Sequence, residues 1–519
     1  MDFSWRCAAI FAALLHCAMA SPASAQDVTL TSRDGLITLQ GSMASYDGEF
    51  FRVQTKYGLL TLDGRGVRCA GPGCPDLSDY VADITLAAPA TTAALLAALI
   101  DGFASAAGYA VRRDPVGDLA MRYVLREASS GQEVARLNVA LTNSGANSEA
   151  NSDQGLADLQ SGNADLALSM QPQPGLPGTS QVLALDAAVP LVSRANPLQA
   201  IAIADLRAAL SGQLTNWRYI GGTDAPIVLH ALEQSAGLLQ AAEAVLGVKT
   251  PQSVQRHADP QTLADAVAGD PWALGLGSAA ALGNTRALSL TGSCGFRIVA
   301  DPASIRSGDY PLAVPLYLSR SDRRQAPIIR DLAEWLTGPQ AQAAVAASGF
   351  IDLRASRSGL AQQGERLAHA VSVAPADGLP ALQALVADLA AAERLSTTFR
   401  FQAGSRALDP ASFSTLARLA RDLEAGLHDG SVLSFVGFSD ASGDEAENLR
   451  LSRQRAEAVR DAVLRNAPLL DTNRVTVQVA AYGAGLPMAC DDTDVGAGLN
   501  RRVEVWLRPQ PTDSPPSGN

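Results

Sequence analysis

Lysine is almost missing: Lys56 and Lys249 stand against 38 arginines in 519 residues. With so much alanine, this skew reads as genome base composition and carries no functional meaning. Aromatic residues are 5% of the chain, so aliphatic side chains must do most of the packing. Positive charge is short, with a net charge of −12. That excludes a general nucleic-acid binder, because duplex binding relies on a basic face that neutralises phosphates. After residue 25 no segment reaches the ~18 uninterrupted apolar residues of a membrane helix. His230, His257, His369 and His428 are scattered without H-x-x-x-H spacing, and each reads as a core or surface residue. No G-x-S-x-G elbow or Walker loop is present, so neither catalysis nor a cofactor is expected.

What is present is length and apolar content. At 519 residues and 47% apolar, the chain can bury several cores, and two to four domains are expected. Arg6, the apolar run "CAAIFAALLHCAMA" and "ASA" before Gln26 have the pattern of a secretory signal peptide over residues 1–25. A lipoprotein signal using Cys17 is the rival reading, and His16 fits it poorly. The expected product is soluble and extracytoplasmic. Four cysteines then remain: Cys69, Cys74, Cys294 and Cys490. "CAGPGC" closes a short loop, so a Cys69–Cys74 disulfide is expected in an oxidising compartment. Cys294 and Cys490 either pair across an interface or stay as buried free thiols; the sequence leaves both open. A zinc site is the weaker alternative, without a second C-x-x-C pair or clustered histidines, so no metal is expected.

The pattern divides the rest. Residues 27–80 read as a small β-meander of short strands with turns at "RDG", "YDGE" and "DGRG". Residues 81–355 alternate strands and helices, which implies parallel sheets flanked by helices in two α/β lobes. Residues 356–395 are Ala-rich and read as a helical linker. Residues 396–509 read as α+β, and 510–519 as a Pro/Ser-rich disordered tail. The fold class is thus multidomain α/β and α+β.

In "GFSDASGDEAENLRLSRQRAEAV", residues 437–459, Asp440 ends a strand-like run and Arg455 lies on the following helix. Ala456, Val459 and Val463 mark that helix's buried side. One carboxylate beside one guanidinium suits a zwitterion, the first taking an ammonium and the second a carboxylate. A plain surface ion pair is the alternative, and such pairs contribute little. The stretch, with "NRRVE" at 500–504 and "FRFQAGSRALD" before it, resembles the OmpA-like peptidoglycan-binding domain over about 110 residues. The resemblance implies a βαβαβ sheet domain that grips the diaminopimelate of a stem peptide. It points to Asp440, Arg455, Asn448, Asn500 and Arg501.

Residues 183–222, "LALDAAVPLVSRANPLQAIAIADLRAALSGQLTNWRYIGG", resemble the phosphate-binding proteins of ABC importers. Segments 307–318 and 338–353 are similar to later parts of the same family. The resemblance implies a two-lobed periplasmic-binding-protein fold with an anion held by helix N-termini, hydroxyls and one arginine. Candidate ligand residues are Thr91, Thr92, Ser152, Asp153, Ser169 and Gly237. At 231–238, "ALEQSAGL" departs from the family pattern: Leu232, Ala236 and Leu238 replace an arginine, a serine and a threonine. Phosphate binding of importer-like affinity is therefore not expected. A retained phosphate role through other groups, another small anion or solute, or an envelope protein partner remains open. "GLGSAAALG" at 275–283 reads as that family's strand and turn rather than a nucleotide loop. The combined expectation is a periplasmic, outer-membrane-associated protein of a Gram-negative bacterium. It carries a wall-anchoring domain and either a live solute receptor or a docking module that has lost phosphate.

Overall fold

Phe51 and Val53 are buried while Arg52 and Gln54 are exposed. That period of two is what a one-sided sheet requires. The strands Gly58–Asp63, Phe50–Thr55, Thr38–Tyr46, Val28–Ser32 and Val67–Ala70 lie side by side in this order, every pair antiparallel. Val28, Leu30, Phe51 and Val53 form its core. Lys56 and Tyr57 make a two-residue turn between paired Thr55 and Gly58, whose φ is +101°. Gly41 has no room for a side chain: a Cβ would sit 2.4 Å from the Gln54 carbonyl oxygen. A disulfide joins Cys69 and Cys74.

This computed structural model describes residues 27–510 apart from 33–34, 47, 49, 65, 76–80, 118, 143–153, 172–179, 234–236, 322–325, 375–377, 403–404 and 406. The expectations for a leader at 1–25, for a tail beyond 510 and for Ser152 and Asp153 lie outside the described residues. The meander belongs to one compact unit, Met1–Ala82 with two short segments at 133–135 and 324–332; the remainder forms a second.

In the second unit the 14-residue strand Ser180–Ser193 runs through both lobes of a mixed sheet. Its first half pairs with Ala313–Arg320 and its second half with Ala273–Ser278. Val228–Leu232 lies parallel to both Ala273–Ser278 and Gln255–His257, and Leu166–Ser169 is parallel to Ala82–Pro89. The other pairings within this sheet are largely antiparallel, including the hairpin Tyr109–Gly117 with Ala120–Glu127. The expectation of parallel sheets holds for only part of it: Tyr109–Gly117 has one solvent-facing side, which antiparallel pairing tolerates and buried parallel sheets do not. The 275–283 stretch is a buried strand followed by a turn. Cβ atoms at Gly275 and Gly277 would strike Val267 and Leu191 at 2.6 and 2.5 Å.

The C-terminal sheet runs Arg357–Gly359, Glu393–Arg400, Arg502–Pro509, Ser431–Gly437, Val475–Ala481, with only the last pair parallel. Helices Pro410–Glu424 and Glu445–Asn466 contribute Leu416, Leu419, Ala456 and Val459 to a core with Phe399, Leu433 and Phe435. Asp409 and Asp444 cap these helices by accepting from Ser412 N and Glu447 N. Residues 356–395 do more than link. Helices Gly364–Val373 and Leu379–Leu389 pack Ala370, Leu382 and Leu385 against Val436, Phe438 and Trp506 of the sheet side. An apolar stripe on a short helix must be buried somewhere, and this sheet offers the surface.

Two features bind the C-terminal sheet to the lobe before it. Cys294 and Cys490 form a disulfide. Asp309, buried, accepts from Arg394 at 2.7 Å and from Arg400 at 2.9 Å. Arg394 also faces Glu504, which takes Arg366 and Arg502 at 2.7 Å each and Trp506 Nε1 at 3.0 Å. Burial opposes ionisation of both carboxyls, but the guanidiniums outweigh it and hold Asp309 and Glu504 below the ordinary carboxylate range.

Candidate functional site

Strand Ser431–Gly437 delivers Asp440 three residues past its end, and helix Glu445–Asn466 returns across that end. The crossing is close. A Cβ on Gly437 would lie 2.0 Å from the Ser452 carbonyl oxygen, so only glycine fits. Ser452 Oγ donates to Leu449 O at 2.9 Å and accepts from Gly483 N at 3.2 Å; Gly483 O in turn accepts from Ser439 N at 2.8 Å. Three chain segments therefore converge beside Asp440.

The Asp440 carboxylate is largely buried. Oδ1 accepts from Ser442 N at 3.1 Å and from the Ser442 hydroxyl, and Oδ2 accepts from Arg501 at 2.6 Å. Burial pushes its pKa up, but the Ser442 and Arg501 hydrogen bonds prevail and keep it below the usual carboxylate value. The group is an anion at neutral pH. The guanidinium of Arg455 lies 5.4 Å above the Phe401 ring.

The sequence-derived residues separate by what their atoms already do. Asn500 is saturated: its Oδ1 accepts from Met488 N at 2.6 Å and Ala489 N at 3.1 Å. Its Nδ2 donates to Ala489 O at 2.8 Å and Asp491 Oδ1 at 2.7 Å. It holds the 488–491 loop and has nothing left for a ligand. The Asn448 amide, by contrast, is buried but makes no hydrogen bond among the described residues. Two groups escaped the sequence reading. Ser439 Oγ is buried without a partner among the described residues. Asp491 Oδ2 accepts from Ala441 N at 2.8 Å, fixing the turn behind Asp440. Ser439 adjoins Asp440 and was visible as "SD"; Asp491 lies 50 positions from Ala441, and no local pattern marks it.

In the middle domain, Thr92 Oγ1 donates to Pro89 O at 2.8 Å, while Thr91 Oγ1 is buried without a partner among the described residues. Ser169 is buried and its hydroxyl bonds the Gln171 carbonyl. Gly237 begins helix Gly237–Leu246, where an anion would meet backbone N–H groups. Met170 packs beside Gly237: its Sδ lies 3.1 Å from where a Gly237 Cβ would stand. Leu232 and Leu238 are buried in the same apolar cluster as Met170.

Residues 400–501 match the model of the OmpA family, and residues 120–340 match a PBP superfamily domain. The probable lipoprotein YiaD of Escherichia coli is 33% identical over 109 residues, 21% of this chain and 47% of that protein. A peptidoglycan-associated lipoprotein of Pseudomonas putida is 31% identical over 115 residues, 22% of this chain and 65% of that protein. The chain thus spans less than two thirds of either relative's length. An ABC-type phosphate transport receptor from Vibrio cholerae aligns with a TM-score of 0.40 and 17% identity, over 52% of this chain and 99% of that one. A PBP-superfamily domain and an OmpA-family domain therefore stand in series within this one chain.

Proposed function

We propose that this is a cell-envelope protein of a Gram-negative bacterium that holds peptidoglycan through Asp440. The observation that carries the reading is a shielded, ionised carboxylate at a strand end, with the Arg501 guanidinium on it and the open Asn448 amide on the adjoining helix. An ammonium group of a stem peptide would take Asp440 Oδ1 and Oδ2, and the peptide's carboxylate would take Arg501 or Arg455. The name of the Pseudomonas putida relative supports the same reading. Asn500 supports the loop and is left out of the ligand set.

For the middle domain, Met170 against Gly237 favours a docking or structural module over a phosphate receptor. Loss of charge-assisted bonds of about 1.5–3 kcal/mol each would remove importer-like affinity. The domain's work is binding rather than catalysis in this reading.

Co-sedimentation with purified peptidoglycan sacculi tests the first part. The native protein is expected in the pellet and Asp440→Asn in the supernatant; pelleting of both would sink the assignment. Calorimetric titration with inorganic phosphate tests the second, and micromolar heats would restore a phosphate receptor.

A further inference from the structure

Cys294 and Cys490 do more than tie two domains. Residue Cys294 is exposed and residue Cys490 is buried, so an incoming thiolate meets the Cys294 side of the bond first. The two sulfurs are unequally surrounded. Cys294 N donates to Cys490 Sγ at 3.2 Å. His369 Nε2 lies 3.5 Å from Cys294 Sγ, its ring stacked on Phe296 with centroids 4.8 Å apart. Burial lowers the His369 pKa, so the ring is neutral near pH 7.

We propose that Cys294–Cys490 is a thiol–disulfide exchange site for a dithiol oxidoreductase, entered at Cys294, and that it latches the loop behind Asp440. A partner thiolate bonds to Cys294 Sγ and the Cys294–Cys490 bond breaks. Cys490 leaves as a thiolate, met by the Cys294 N–H, and takes a proton from water. The partner's second thiolate then attacks the partner's own sulfur in the mixed disulfide. Cys294 leaves as a thiolate beside His369 Nε2 and is protonated. In sum, the partner's two thiols become a disulfide, and two electrons and two protons pass to this protein. Exchange favours an accessible sulfur and a stabilised leaving group, and both are built here.

The consequence runs through the 488–492 loop. Ser293 N donates to Asp492 Oδ2 at 3.0 Å, next to the disulfide. Asp491 in the same loop holds Ala441 N, adjacent to Asp440. Opening the bond removes the one covalent tie on this loop among the described residues and leaves it to hydrogen bonds, those of Asn500 on residues 488–491 and of Asp491 on Ala441. This part rests on the peptidoglycan reading above.

The test uses the full-length oxidised protein, graded dithiothreitol or purified thioredoxin as dithiol, and maleimide labelling mapped by mass spectrometry. Cys294 and Cys490 are expected to label before Cys69 and Cys74. His369→Ala is expected to slow resolution of the mixed disulfide, the step in which Cys294 leaves, about tenfold, and His369→Gln, which keeps a side-chain N–H, to recover part of the rate. Equal or reversed labelling order, or no effect of His369→Ala, would overturn the exchange site. Protein selectively reduced and alkylated at this pair should then bind sacculi severalfold more weakly; unchanged binding would overturn the latch. If even the oxidised protein ignores sacculi, the peptidoglycan reading and the latch fall together, and the labelling rates alone decide the exchange site.

Discussion

At the scale of single residues, the most exacting arrangement is the buried charge cluster around Asp309 and Glu504. Asp309 faces Arg394 and Arg400, and Glu504 faces Arg366, Arg394 and Arg502. Removing one member strands the others, and breaking a buried pair typically costs about 3–5 kcal/mol. Asp309→Asn should lose about that much in urea unfolding while leaving the oxidised disulfide intact. The cluster also sets acid sensitivity. Both carboxyls have folded-state pKa values below their unfolded ones. Their stabilisation is therefore complete above about pH 5 and fades as pH falls below the ordinary carboxylate range of ~4 toward the folded values. Unfolding midpoints recorded from pH 2 to 7 should show this fall, and Asp309→Asn should flatten part of it.

At the scale of elements, two strands make claims that can be checked. Strand Ser180–Ser193 carries Asp186 in the core where the two lobes meet. Its carboxylate accepts from Ser278 Oγ and Ala187 N at 2.7 Å each, yet burial dominates and pushes the group up to about 6. The sign is opposite to that of Asp309. A folded pKa above the unfolded one means the native state binds the extra proton, so stability falls as pH rises from ~4 to ~6, by roughly 3 kcal/mol. Asp186→Asn should remove that slope from a pH series of melting temperatures. The second strand is Ser431–Gly437. A Cβ at Gly437 would overlap the Ser452 carbonyl, so Gly437→Ala must push helix Glu445–Asn466 away. Overpacking of this kind costs typically 1–3 kcal/mol, seen as a lower urea midpoint, and should weaken sacculus binding because the same helix carries Asn448.

At the scale of the whole molecule, the second compact unit contains both the two-lobed domain and the C-terminal sheet. The Cys294–Cys490 bond closes a loop with a sequence separation of 196. Restricting so long a loop in the unfolded chain contributes up to about 5 kcal/mol. The double replacement Cys294→Ser/Cys490→Ser should lower stability toward that limit in urea unfolding, with circular dichroism confirming an unchanged native secondary structure.

The sequence by itself determined what depends on near neighbours. Period-two alternation gave the meander, although Val67–Ala70, too short to stand out, was recognisable only by its pairing with Val28–Ser32. Helical spacing set Ala456, Val459 and Val463 on the buried side of one helix, and "CAGPGC" closed on itself. Tertiary structure decided the rest. Arg501 reaches Asp440 across 61 positions, Asn500 spends its amide on a loop, Met170 packs against Gly237, and Cys294 meets Cys490. It also turned residues 356–395 from a linker into one face of the C-terminal domain. The reason is physical. Backbone periods fix which residues share a face within a few positions. Which face meets which is settled only when whole elements bury their apolar surfaces together, and the partner of a charge or a sulfur is chosen by that packing.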